Sequence, residues 1–359
     1  MRFPGRPGTA QTQVRFPVGT SSFWVTRWGD GLALGRRCLL LAGLGLLLPG
    51  CQPVEPPPLK VGMNAWVGYD PLVLARDQQL LDSSKVKVVE LSSSSETLRN
   101  LRNQLLDAAA LTLDEALRLA DEGTDVRIVA VLSSSAGADM VIAGPSVTEP
   151  AQLRGKTVVV ESTTVGALML QRLLQQARLR PTDVRVRHME ASQHLAVLRS
   201  GEVDAAVTYE PLAGVMRAEG FRSIFDSRQM PGDIVDVLVV RAEILRTRPA
   251  QVEALVTGWQ RGLQALLKTP QASATLLAPG AGLSPGDYLA TLKGLSFFSA
   301  EESLALLSGE PRRLSEDASQ LVATLRQMGL VREPPDWGSL LDEAPARNSL
   351  AATMREATP

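Results

Sequence analysis

The chain has 359 residues, 45% hydrophobic and 21% charged, with a formal net charge of −1. That is enough apolar material for about two domains with their own cores, and a near-neutral balance with no basic block excludes a general nucleic-acid binder. The two cysteines, Cys38 and Cys51, both precede the globular part, so the body has no disulfide, thiol nucleophile or cysteine metal site.

Residues 1–35 are rich in Gly, Pro, Ser and Thr and carry no hydrophobic period. Arg36-Arg37 then precede an apolar run from Cys38 to Leu48, too short to span a bilayer but of the length of a signal-peptide core. It ends in Leu48-Pro49-Gly50-Cys51, which resembles a bacterial lipoprotein box with Cys51 as the acylated residue, and residues 52–58 read as a stiff Pro-rich tether. Residues 1–50 are therefore expected to be a leader and 51–58 a tether to the membrane.

Leu59 to Trp66 reads as a strand, Val67 to Pro71 as a turn with Asp70 as N-cap, and Leu72 to Leu81 as a helix. Val86 to Leu91 is a strand and Glu96 to Leu106 an amphipathic helix. Ala108 to Leu113 is a small-residue strand, and a helix starts at Asp114. Val126 to Leu132 is a fourth strand, with Ser133-Ser134-Ser135 read as loop. This βαβαβαβ order with short connections predicts a parallel sheet flanked by helices. Ala138 to Ala143 is a strand that leaves this sheet. Lys156 to Glu161, Val184 to Met189, Val203 to Thr208 and Arg222 to Asp226 then form a second set of strands, with helices at Val165 to Ala177, Ser192 to Leu198 and Leu212 to Ala218. Ile234 to Arg241 is a strand that could return to the first sheet. From Pro249 onward only helices are predicted, and the tail after Glu333 is expected to pack loosely.

The expected architecture is α/β: two lobes, each a mostly parallel sheet flanked by helices, with a ligand cleft between them. Residues 59–138 with 242–333 form one lobe, 139–241 the other, and 334–359 a tail.

Four segments carry a family resemblance: Trp66-Val67-Gly68-Tyr69 with Pro71; Ser135-Ala136-Gly137-Ala138-Asp139; Leu153-Arg154-Gly155-Lys156-Thr157-Val158; and Gly201-Glu202-Val203-Asp204-Ala205 with Glu210-Pro211. In this order, behind a lipoprotein-like leader, they resemble the substrate-binding proteins of ABC importers of the nitrate, sulfonate and taurine type. The resemblance implies the two-lobe type II periplasmic-binding fold. It also implies an exported, membrane-anchored binder of a small polar or anionic molecule (nitrate, sulfonate, taurine or a thiamine-type pyrimidine) that hands it to a permease and its ATPase. No cofactor, metal or nucleic-acid partner is implied, and a monomer is expected. A lipidated sensor or an enzyme on the same fold is the alternative, although the body lacks the cysteine motif of the pyrimidine-synthase relatives.

Candidate ligand contacts lie where strands end. Trp66 and Tyr69, beside Gly68, offer flat walls with polar tips. Thr112 ends the third strand, and Ser135 sits at the crossover. Ser162, Thr163 and Thr164 precede a helix start, which either holds an anion or merely caps the helix. Tyr209 and Glu210 lie at the joint of a buried strand and a helix. Glu210 and Asp236 are negative and suit an amine, a hydroxyl or a hydrogen-bonding ring. A ligand carrying both an acidic and an amino group, or a neutral heterocycle, satisfies both sets.

Overall fold

Strand β1 (Leu59–Asn64) is buried at every position but Lys60. A strand covered on both faces belongs at the centre of an α/β sheet. In the computed structural model, which describes residues 56–356, β1 pairs in parallel with β2 (Val86–Leu91) and β3 (Ala108–Thr112). Beyond β3 come β10 (Val235–Arg241), β4 (Val126–Ser135) and β11 (Leu295–Phe297), giving the order β11-β4-β10-β3-β1-β2. The helices on this sheet are α1 (Asp70–Asp77), α2 (Ser94–Arg102) and α3 (Leu113–Asp121).

The second sheet has the order β7-β6-β8-β5-β9, from β5 (Asp139–Ala143), β6 (Thr157–Val160), β7 (Arg185–His188), β8 (Ala205–Tyr209) and β9 (Arg222–Asp226). Its helices are α4 (Thr164–Gln176), α5 (His194–Arg199) and α6 (Leu212–Ala218). The chain passes from the first sheet to the second between β4 and β5, and back between β9 and β10.

Helices α7 (Ala242–Thr247), α8 (Pro249–Lys268), α9 (Pro270–Ala281) and α10 (Pro285–Leu292) follow β10. Gly262 lets α8 lie directly on α1, because a Cβ there would meet the Pro71 carbonyl oxygen at 1.8 Å. After β11 come α11 (Ala300–Leu307), α12 (Arg313–Asp317), α13 (Ser319–Gln327), α14 (Trp337–Leu340) and α15 (Ala344–Glu356).

The structure differs from the sequence reading in four places. The first sheet is mixed, because β10 returns antiparallel between β3 and β4. Its side chains are buried on both faces: Val237 and Val239 in one apolar cluster, Leu238 and Val240 in the other. This strand of the first sheet therefore moves the expected lobe boundary at 241 back to about 234. The serines 133–135 are not loop but the last residues of β4, held there by β11, a strand inside the region read as purely helical. Leu295–Phe297 pairs antiparallel with them, Phe297 opposite Ser133. With only three residues and no alternation, β11 leaves little trace in sequence. Finally, the tail is packed. Leu341 bridges to Ile128, and Asp342 N–H donates to the Ile128 carbonyl at 3.0 Å. Ser349 is buried, donating to Gln260 at 2.8 Å. Its hydroxyl also meets that of Thr257 at 2.8 Å, which ties α15 to α8. The leader, the lipoprotein box and Cys51 lie outside the described residues.

Candidate functional site

Because β10 runs antiparallel to its neighbours, its first residues lie beside the C-terminal ends of β3 and β4. The register sets Asp236 opposite Thr112 on one side and Ser133 on the other. In the second sheet the register sets Asp139 opposite Tyr209. These strand ends converge on a small chamber. β1 contributes Asn64, and the turn after it Trp66 and Tyr69. Ser94 and Glu115 come from the first turns of α2 and α3, and Val165 from α4; Thr112, Asp139, Tyr209 and Asp236 complete the lining. Its free volume is about 20 Å³, room for about one water.

Asp236 organises the first wall. Trp66 Nε1–H donates to it at 3.1 Å, the Tyr69 hydroxyl at 3.0 Å and the Ser133 hydroxyl at 2.6 Å. Burial nevertheless pushes its carboxyl up to about 6, against the pull of these three donors. Glu115 accepts from the Ser94 hydroxyl at 2.7 Å and from Thr112 N–H at 3.2 Å, and burial raises it to about 7. Asp139 is the most perturbed of the three. Burial pushes it up to about 8, with the Asp236, Glu115 and Glu210 carboxylates adding to the rise, and its Oδ2 has no hydrogen-bond partner. Tyr209 meets Trp66 edge-on, with ring centroids 5.8 Å apart and planes at 85°. Burial keeps both tyrosines protonated.

Five of the residues expected at the site, Trp66, Tyr69, Thr112, Tyr209 and Asp236, are brought together here. The others stand elsewhere. Gly68 lies under the Trp66 indole, where a Cβ would meet Nε1 at 2.2 Å; it seats the wall rather than touching the chamber. Ser135 is a crossover residue, 2.8 Å from the Ser227 hydroxyl and accepting Asp139 N–H at 3.1 Å. Ser162, Thr163 and Thr164 line an outer cavity of about 250 Å³ between α2, α3 and α4, with Thr163 capping α4 through Gly166 N–H. Glu115 is common to both cavities.

Glu210 is turned away. It accepts Gly214 N–H at 2.8 Å and forms an ion pair with Arg217, so the α6 backbone and an arginine use both its oxygens. The sequence reading missed Asn64, Ser94, Glu115, Asp139 and Val165. Two carried a signal. Asn64 is a polar break in a buried strand, and Asp139 closes the Ser135 motif. Glu115, three residues after Thr112, has the spacing of a capping box, which hides its second role.

No lysine, arginine or histidine lines the chamber, and no group of three or more His, Cys, Asp or Glu among the described residues is disposed to hold a metal ion. Three buried carboxyls with one unpartnered oxygen favour a ligand that brings hydrogen-bond donors or positive charge. The Trp66 and Tyr209 rings suit the body of such a ligand.

Two mixed α/β sheets, two crossovers and a polar chamber at the strand ends define the two-lobe periplasmic-binding fold. The chain belongs to the NMT1-like family, which matches residues 52–278. It is 22% identical over 195 residues to a protein of Brachyspira hyodysenteriae described as an ABC transporter periplasmic binding protein, matching 52% of this chain and 56% of that protein's length. It is 24% identical over 300 residues to a Brucella abortus protein described as a binding protein, covering 79% of this chain and 88% of the relative. In structure it resembles the periplasmic aliphatic sulphonate binding protein of Escherichia coli, with a TM-score of 0.64 at 19% identity over 80% of this chain and 93% of that one. An enzyme shares the fold as well: a desulfurization enzyme aligns with a TM-score of 0.60 at 20% identity over 82% of this chain and 99% of its own.

Proposed function

We propose that the protein is the solute-binding component of an ABC import system. It works outside the cytoplasmic membrane and captures a small solute whose head is a protonated amine or an amino-substituted heterocycle. The observation that carries the ligand class is the chamber lined by Asp236, Asp139 and Glu115 without a base. A free nitrate or sulfonate in this space would meet three carboxyls and no cation. The anionic class implied by the family resemblance thus gives way to a cationic or donor-rich one. The relatives described as binding proteins support the transport role. In this reading the lobes close over the solute, a permease and its ATPase receive it, Cys51 carries the lipid anchor, and the protein acts as a monomer without a cofactor.

A thermal-shift panel on the purified protein tests the ligand class, with amines, diamines, aminopyrimidines, taurine, sulfate and nitrate as probes. A ligand at about 100 times its dissociation constant adds about 2.7 kcal/mol, a readily measured shift. Hits among the amines or aminopyrimidines are expected. A panel in which only oxoanions stabilise the protein would refute the assignment.

A further inference from the structure

The two lobes also touch beside the chamber. Helix α2 belongs to the first sheet, and its N-cap Ser93 accepts Glu96 N–H at 3.2 Å. The next free amide of that turn, Ser95 N–H, donates at 2.6 Å to Glu161 Oε1. Glu161 belongs to the other lobe, in the link between β6 and α4. It is 4% exposed, and its Oε2 has no partner. A second carboxylate from that lobe reinforces the contact: Glu190 accepts the Ser95 hydroxyl at 2.6 Å and pairs with Arg99 at 3.2 Å.

A helix N-terminus with open amides is where proteins hold anions. Here the protein's own carboxylate sits on it, supplied from across the cleft. We infer that Glu161 is a built-in anion: it seats on the α2 N-terminus when the lobes close, holds them closed without an anionic ligand, and excludes oxoanions from that position. The inference deepens the proposed function and rests on it for the meaning of closure. The contact explains how a fold shared with a sulphonate-binding protein serves a solute of opposite character. The anion is covalently part of the chain, so the solute need supply only the donor-rich head.

Two variants test it without any amine. Glu161→Ala empties the seat; Glu161→Gln keeps its shape and removes the charge. Sulfate is the probe, titrated by thermal shift against chloride at constant ionic strength, and small-angle scattering of the ligand-free proteins reports closure. Glu161→Ala is expected to bind sulfate at least tenfold more tightly than the wild type. Glu161→Gln, whose neutral amide keeps the bulk but loses the charge, is expected to show a smaller gain. Both variants are expected to have a larger radius of gyration than the wild type. Equal sulfate response in wild type and Glu161→Ala, or unchanged scattering in both variants, would overturn the inference. If Glu161→Ala does not fold, the scattering of Glu161→Gln decides alone. Amine hits in the wild-type panel stand or fall separately, so the two readings fail in distinguishable ways.

Discussion

Glu210, the residue after β8, and Asp139, the first of the neighbouring β5, are both buried, at 3% and 6% exposure. Glu210 has a guanidinium and a backbone amide on its two oxygens. Asp139 Oδ2 has nothing. A buried carboxylate that is fully paired is structure. One left unpaired is a standing cost that folding alone does not repay, and such groups mark sites that await a partner. The contrast separates the α6 joint, which looked functional in sequence, from the chamber proposed to bind the solute.

Three changes sharpen or break this contrast. The largest effect is expected from Asp236→Ala, which strands the Trp66, Tyr69 and Ser133 donors and removes a ligand acceptor. Affinity for the amine identified by the panel should fall at least ~100-fold by calorimetry. A loss below about threefold would take Asp236 out of the site.

Next is the exchange of roles between the two carboxyls. Arg217→Ala leaves Glu210 short of its cation. Because Arg217 is 38% exposed, the loss is expected at only about 1–2 kcal/mol in urea unfolding, with affinity unchanged. Asp139→Asn should do the reverse, weakening binding about tenfold or more while raising ligand-free stability at pH 8 by about 1 kcal/mol. Equal behaviour of the two variants would erase the distinction.

The smallest effect is on pH dependence. The Asp139 carboxyl is raised from an ordinary 3.8 to about 8, so the folded state holds a proton that the unfolded chain gives up earlier. Its contribution to stability is fully present below about pH 4 and is lost as pH rises to about 8. Glu115 and Asp236, raised to about 7 and about 6, act in the same direction. Ligand-free stability should therefore fall between pH 5 and 8, while affinity for a permanently charged amine rises by up to about tenfold per pH unit. An affinity independent of pH over that range would mean that no carboxyl ionises on binding.

Periodicity made the two-lobe α/β plan legible in the sequence, because buried strands and amphipathic helices each leave a repeat. The strand-end rule named Trp66, Tyr69, Thr112, Tyr209 and Asp236, which the structure brings to one chamber. The misses have local physical causes. The direction of β10 depends on pairing rather than composition, so no pattern announced that Asp236 would face Thr112 and Ser133. Glu210 and Asp139 are both acids at strand boundaries, and only the position of Arg217, one α-helical turn beyond Gly214, decides which is satisfied. Side-chain direction at a joint is set by tertiary packing, which sequence spacing does not encode.

β11 has a mechanical consequence. It splints Ser133–Ser135, and Ala136 N–H is bonded to the Gly294 carbonyl at 2.8 Å. A Cβ on Gly294 would stand 2.7 Å from the Ala138 nitrogen, so the crossover lies tight against this brace. The end of β4 and the start of this crossover are thereby braced, and the other crossover lies between β9 and β10. In the proposed mode of action the first lobe is the fixed half. That half carries Asp236, Trp66, Tyr69 and Thr112 already bonded in place, and the moving half brings Asp139 and Tyr209. On that proposal a solute would meet the bonded wall first and Asp139, whose Oδ2 has no partner, last.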